Sequence, residues 1–376
     1  MTLALRLFDG LIAWERRRYS RPKPARGLML VAAGGLGDAV LLAHIFPRLR
    51  ALAGPGEPAT LILRHDAAKM GFLFGGNADV RAVDFNRLRR DFAYRRATFK
   101  EIHELNARLA ISADYLRHPW LDEALLAAAQ APETAAMIAR PWPKYQDALD
   151  RNRHRFTRVF DSGPPVRDKI LRWTDFANWL GGRNDPPPRT RLPDALLPAK
   201  VPTAAPLVII QPFSAAKQKQ VPPELWCEVI AALPGEIEVR IAGSPRDFAQ
   251  YPEYRALLDP PRVQFDDATF AELMPRLRAA RLVVSVDTAL MHLAIAAGAP
   301  TLGVASAAYV GEIVPYDPAV IPDNVRFLYT DMPCAGCLGD CPYPPERDMY
   351  PCVARLDSRA VAREATRLFS AAQESR

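Results

Sequence analysis

The stretch Leu28-Met29-Leu30-Val31-Ala32-Ala33-Gly34-Gly35-Leu36-Gly37-Asp38 decides how the chain folds. Six apolar residues in a row, bounded by glycines, read as a strand buried on both faces. The glycines let the backbone turn sharply, and Ala39 to Leu52 then repeats its apolar residues with helical spacing. Strand, glycine turn and helix form the opening of a Rossmann-like unit.

Working outward, Thr60 to Leu63 and Arg81 to Phe85 read as further strands of the first half. Between Asp185 and Pro206 lie Pro186-Pro187-Pro188, Pro193, Pro198, Pro202 and Pro206, a composition that favours an extended connection. A second series follows, with strand signals at Leu207 to Gln211, Glu238 to Ala242, Arg262 to Phe265, Leu282 to Val286 and Thr301 to Ala305, separated by helical patterns. Asp357 to Ser370 reads as a closing helix. Alternating strands and helices imply parallel sheets with crossover helices. The expected domains are 27–185 and 207–356, joined by a linker over 186–206, with ligands in a cleft at the carboxyl ends of the strands.

A chain of 376 residues exceeds what one core usually supports, and 49% apolar with 24% charged residues is a globular composition. No run reaches the 18 apolar residues of a membrane span, and the start lacks a signal-peptide cleavage site, so the expected location is the cytoplasm. The net charge of +7 is uneven. Residues 1–26 hold seven cations (Arg6, Arg16, Arg17, Arg18, Arg21, Lys23 and Arg26) against Asp9 and Glu15. This leader also carries Leu3, Ala4, Leu7, Phe8, Leu11 and Ile12 at helical spacing. It reads equally as a helix lying on an anionic membrane and as one packed on its own domain. No aromatic-and-basic stripe accompanies the charge, so nucleic acid is not an expected partner.

Three constellations can carry chemistry. Asp38 lies where the first helix begins, so it is a helix cap or a catalytic carboxylate. A dinucleotide-binding reading of the glycine turn fits poorly, because Val40 stands where a third small residue belongs. Gln211 to Lys219 comes directly after a strand and places Ser214, Lys217 and Lys219 at its carboxyl end, where ammonium groups can neutralise phosphate. Val283 to Val286 runs into Asp287-Thr288-Ala289-Leu290-Met291-His292, a helix start whose N–H groups suit a diphosphate. His292 alone reads equally as a core histidine.

Gly37-Asp38 before its helix, Ser214 to Pro222 with Lys219-x-x-Pro222, and Asp287-Thr288-x-x-x-His292 followed by Gly298-x-Pro300-Thr301 together resemble the signatures of the heptosyltransferase family, glycosyltransferase family 9. The resemblance spans roughly residues 27–370. It implies a GT-B fold, two Rossmann-like domains with parallel sheets facing a central cleft, the acceptor on the first and a nucleotide diphosphate sugar on the second. It implies transfer with inversion and without a catalytic metal, to lipopolysaccharide or another glycan or glycolipid, at the inner face of the cytoplasmic membrane. Carried over, Asp38 becomes the base, and Gly37 beside it is one of the nucleotide-sugar-binding residues. Lys219, with Lys217 nearby, stabilises the departing diphosphate. Ser214, Gly243, Thr288, Ala289 and Leu290 contact the donor, and Asp287 and His292 shape its pocket. The sequence departs from the pattern at Ala289, where a glycine is usual, at Val221, where a tryptophan is usual, and at Asp247, which stands for the acidic residue after Gly243-Ser244-Pro245. These departures leave the sugar and the base of the donor open. A protein acceptor, a nucleotide-sugar epimerase of the same architecture and a scaffold without turnover are the alternatives.

Four of the five cysteines form Cys334-x2-Cys337-x3-Cys341-x10-Cys352. In a cytoplasmic protein this spacing suits a closed structural site for zinc, or for iron. Four buried free thiols are the other reading.

Overall fold

The computed structural model describes residues 2–16, 21 and 23–374. It divides into two compact units, Met1–Pro165 with Ile170–Pro186, and Val166–Lys169 with Pro187–Arg376.

The first unit is built on a parallel sheet of β1 (Leu28–Ala32), β2 (Ala59–Arg64), β3 (Asp79–Val83), β4 (Leu109–Ser112), β5 (Glu133–Met137) and β6 (Arg158–Phe160), in the order β3-β2-β1-β4-β5-β6. All five residues of β1 are buried, as its unbroken apolar run requires in a sheet covered on both faces. Leu28 lies in register with Ala59 on one side and Leu109 on the other. The direction of winding therefore reverses between β1 and β4, the switch point where ligands of open α/β sheets bind.

The third strand begins and ends two residues earlier than its apolar pattern suggests. Asp84 is drawn off as the cap of the helix Phe85–Arg90, its carboxylate accepting from the N–H groups of Asn86 and Arg87.

The leader forms the helix Thr2–Arg16. Leu5 and Ile12 are buried, Phe8 packs on the same core, and Asp9 ion-pairs with the fully buried Arg95 at 2.6 Å. The opposite side leaves Leu7, Leu11 and Trp14 more than half exposed. The apolar residues of this helix thus form two stripes, not one, and the packed stripe is anchored by a buried charge pair. Arg17, Arg18 and the side chains of Leu3, Arg6 and Arg16 lie outside the described residues.

The second unit repeats the plan with β7 (Leu207–Gln211), β8 (Glu238–Ala242), β9 (Val263–Asp266), β10 (Leu282–Val286), β11 (Thr301–Val304) and β12 (Val325–Leu328), in the order β12-β11-β10-β7-β8-β9. Its switch point lies between β7 and β10. Trp226, on the helix Pro223–Ala232, and Phe369, on the closing helix Ser358–Glu374, belong to the core on this sheet. The proline-rich stretch is extended, as its composition dictates, yet it is strapped onto this unit. Thr190, Leu192 and Val201 donate N–H bonds to the carbonyls of Val320, Ala296 and Pro275.

Candidate functional site

In the first unit the turn after β1 places Asp38 at the third position of the helix Leu36–Arg50. Its Oδ2 accepts from the Gly35 N–H at 2.7 Å, so the carboxylate does cap the helix. A Cβ on Gly34 would come within 2.5 Å of the Asp38 Cβ, which explains why glycine precedes the cap. Gly37 lies inside the first turn of the same helix.

Capping is only part of this carboxylate's setting. Asp38 shares a small cavity with Asp114, Leu63 and Trp173. Asp114 comes from the end of β4, across the switch point, and its Oδ2 accepts from the Ala33 N–H at 2.5 Å. Arg64, at the end of β2, grips Asp66 through two bonds of 2.5 and 2.6 Å. That pairing raises the Arg64 pKa, and the charges of Asp38 and Asp114 raise it further. Two carboxylates in the field of one guanidinium, at the carboxyl ends of adjacent strands, can accept a proton from a bound hydroxyl.

In the second unit Lys219 ends a short 3-10 turn, Lys217–Lys219, in the loop after β7. Its Nζ lies 2.6 Å from Asp287 Oδ2 and 4.3 Å from the centre of the Tyr309 ring. Asp287 follows β10 and is only 5% exposed. This ion pair therefore bridges the β7/β10 switch point. Lys217 goes elsewhere: its Nζ pairs with Glu253 at 3.1 Å and lies over Tyr251. The two lysines are not brought together.

Thr288 is the extended N-cap of the helix Ala289–Ala296 and makes no side-chain cap bond. The first N–H groups of a helix have no partner within it, so those of Ala289 and Leu290 begin a positive helix end beside Asp287. His292 is buried one turn on, its Nδ1 2.5 Å from the Tyr316 hydroxyl and its Nε2 3.9 Å from Asp287 Oδ1. Burial pushes the Tyr316 pKa well above the usual phenol value, and the charges of Asp168 and Asp287 add to this. The Nδ1 edge of the ring is thus turned to the Tyr316 hydroxyl and the Nε2 edge to Asp287. His292 is a buried neighbour of Asp287.

Ser214 sits at the mouth of the same loop, its carbonyl accepting from the buried Gln220 at 2.8 Å. Gly243 follows β8 and has Phe213 so close that a Cβ would approach it to 2.9 Å. Asp247 is taken up by a local task, accepting from the N–H and hydroxyl of Ser244 at 2.7 and 2.9 Å to cap its own helix. Val221 is buried, and its carbonyl accepts from the Tyr254 hydroxyl at 2.5 Å.

Residues 173–334 match the model of glycosyltransferase family 9 (heptosyltransferase). That segment is similar to a family 9 glycosyltransferase domain. No curated protein matches the chain in sequence. Among solved structures, the glycosyl transferase family 9 from Veillonella parvula DSM 2008 is 15% identical with a TM-score of 0.65, covering 92% of this chain and 97% of that one. E. coli heptosyltransferase WaaC with ADP-2-deoxy-2-fluoro heptose is 17% identical, with a TM-score of 0.64 over 90% and 98% of the two chains. The iron-containing dodecameric glycosyltransferase TibC from enterotoxigenic E. coli H10407 is 14% identical, with a TM-score of 0.52 over 95% and 81%. At these identities the likeness is one of fold, and it is the GT-B fold that the two sheets display.

The cysteine loop of the second unit assembles three thiols. The sulfurs of Cys334, Cys337 and Cys341 all lie within 4.8 Å of one another. Cys352 is outside that group, buried in the core of the second unit with its Sγ accepting from the Ala307 N–H at 3.3 Å. Burial pushes its thiol pKa up. Three of the four expected cysteines meet here, while Cys352 lies on a buried helical turn, Pro351–Ala354, that the hydrophobic core holds. Sulfurs around a tetrahedral zinc lie about 3.8 Å apart, so the trio is close to a metal-holding geometry. The loop also braces the Lys219 site. Gly336 donates to the Ala307 carbonyl, beside Tyr309, and Tyr350 donates to the Gln218 carbonyl, beside Lys219.

Asp114, Arg64, Tyr309 and Tyr316 escape the sequence reading. Only Asp114 leaves a trace there, as an acidic residue two positions beyond a buried four-residue strand.

Proposed function

We propose that the protein transfers a heptose or related sugar from a nucleotide diphosphate sugar to a hydroxyl of lipopolysaccharide or another envelope glycan, inverting the anomeric carbon. The observation that carries this reading is the Lys219–Asp287 pair beside the start of the helix Ala289–Ala296, at the switch point of the second sheet. A fixed cation and helix N–H groups at that place are a diphosphate site. Two of the similar solved structures, both of E. coli WaaC, contain ADP-2-deoxy-2-fluoro heptose and ADP, so an ADP-linked sugar is the first donor to test.

In the transfer, Asp38 takes the proton of the acceptor hydroxyl while that oxygen bonds to the anomeric carbon. The bond from that carbon to the diphosphate breaks on the opposite side, and its electron pair stays on the phosphate. Lys219 and the N–H groups of Thr288, Ala289 and Leu290 meet that growing charge, while Ser214 and Gly243 line the donor site. Lys219 supplies at the leaving group the positive charge the step requires.

A thermal-shift series against ADP-, GDP- and UDP-linked sugars tests this. One nucleotide should raise the melting temperature, since a ligand held at about 100 times its Kd stabilises the folded state by about 2.7 kcal/mol. Folded protein that responds to none of the three would overturn the reading.

Cys334, Cys337 and Cys341 are proposed to hold a structural zinc or iron. When bound, the metal would cross-link the loop that braces Gln218 and Ala307, away from the chemistry of transfer. Elemental analysis is expected to find one such ion per chain. Its removal by a chelator, or Cys337→Ser, should lower the melting temperature and raise the KM for the donor more than it lowers kcat. Protein that is fully folded and active with no bound metal would refute this assignment.

A further inference from the structure

The second unit contains another charged cavity, at the other end of its sheet. Some 390 Å³ in volume, it is lined by Lys200, Arg278, Arg281, Arg326 and Arg367, with Asp323 as the one acidic side chain among the described residues of its wall. Arg281 precedes β10, Asp323 precedes β12, and the cavity also touches Gly298 and Pro300, just before β11. The donor-site residues Lys219 and Asp287 follow strands of the same sheet. The five residues of β10 alone separate the two ends by about 13 Å.

Two of these cations have carboxylate partners at the rim: Arg278 with Asp194 at 2.8 Å, and Arg367 with Glu364 at 2.6 Å. Counting Asp323, Asp194 and Glu364 against five cations still leaves a positive excess. The other contacts are to carbonyls. Arg281 donates through Nε to Phe369 and lies over its ring, and Arg326 donates through Nη1 to Asp323 and Val325. Arg281 Nη2 and Arg278 Nε are buried and have no hydrogen-bond acceptor among the described residues. Buried guanidinium N–H groups without acceptors are costly and uncommon. Planar guanidinium forks match phosphate oxygens in both charge and geometry.

We propose that this cavity binds a small, multiply charged phosphate anion, at a site separate from the donor site. The excess cationic charge of the wall holds the anion, and Lys200 and Arg326, which are exposed, draw it in from solvent. The proposal does not depend on the sugar-transfer reading.

Calorimetric titration of the full chain with inorganic pyrophosphate tests it. Lys219→Met serves to silence the donor site, and the double variant Lys200→Glu/Arg326→Glu to reverse charge at this one. Both positions of the double variant are exposed, and circular dichroism and melting curves establish that this variant and Lys219→Met are each folded at the temperature of the titration. Saturable pyrophosphate binding should persist in Lys219→Met, weaken at least tenfold in the double variant, and decline steeply with added salt. ADP provides the second arm. Tighter binding of ADP than of pyrophosphate in Lys219→Met, again lost in the double variant, identifies the anion as a nucleotide's phosphates, and the reverse order identifies free phosphate. Absence of saturable binding in the parent protein, or binding that Lys219→Met removes and the double variant leaves alone, overturns the proposal.

Discussion

Asp38→Asn is expected to lower kcat for sugar transfer by about 10²- to 10⁴-fold, the usual contribution of a positioned general base, while leaving donor affinity within about twofold. The choice of asparagine matters, because the Asp38 carboxylate also caps its own helix through the Gly35 N–H. Asparagine keeps an oxygen that can accept that bond but cannot take up a proton from the acceptor hydroxyl. Asp38→Ala removes both functions and should additionally destabilise the first unit by about 0.5–2 kcal/mol, the ordinary range for a lost cap. Single-turnover transfer rates and melting curves for the two variants separate the roles. Full activity in the asparagine variant, with loss only in the alanine variant, would reduce Asp38 to a cap. The structure also places a second carboxylate, Asp114, in the same cavity. Asp114→Asn should cost less than Asp38→Asn, and the opposite ranking would make Asp114 the base.

This rivalry shows where the sequence stops being informative. The Asp38 turn is legible because a long buried strand, a glycine turn and a helix succeed one another within a single run of residues. Asp114 reaches the same cavity through tertiary structure. Its strand is four residues long, too short to show a period, and it pairs with β1 from 81 positions away along the chain. β6 is harder still, with three half-buried residues at the sheet edge. In the second half, Lys219 and Asp287 are each recognisable by their position just beyond a strand. Their pairing across 68 residues is not, and neither is the diversion of Lys217 to Glu253. The cysteines give the same lesson in reverse. Four thiols at metal-ligand spacing look equivalent in one dimension, until the apolar neighbours of Cys352, among them Val353 and Met349, draw it into the core.

Lys219→Met should cost about 10²- to 10³-fold in kcat, the loss typical of removing one preorganised group that stabilises charge in the transition state. Unlike the change at Asp38, it should also weaken donor binding. It carries a stability penalty too, since Asp287 is 5% exposed and Lys219 is the cation 2.6 Å from its carboxylate. Removing one partner of such a pair leaves a buried charge uncompensated, at a cost of about 3–5 kcal/mol. His292 cannot replace the lysine at low cost. Its Nε2 is 3.9 Å from the carboxylate, and a charged ring would have to be buried beside Tyr316. The double variant Lys219→Met/Asp287→Asn removes the stranded charge and should recover most of the melting temperature without recovering transfer. Stability and catalysis then part company, which identifies Lys219 as a group that acts on the diphosphate. If the double variant regained turnover along with stability, the lysine would be needed only to neutralise Asp287. The leaving group's charge would then fall to the N–H groups of the helix Ala289–Ala296.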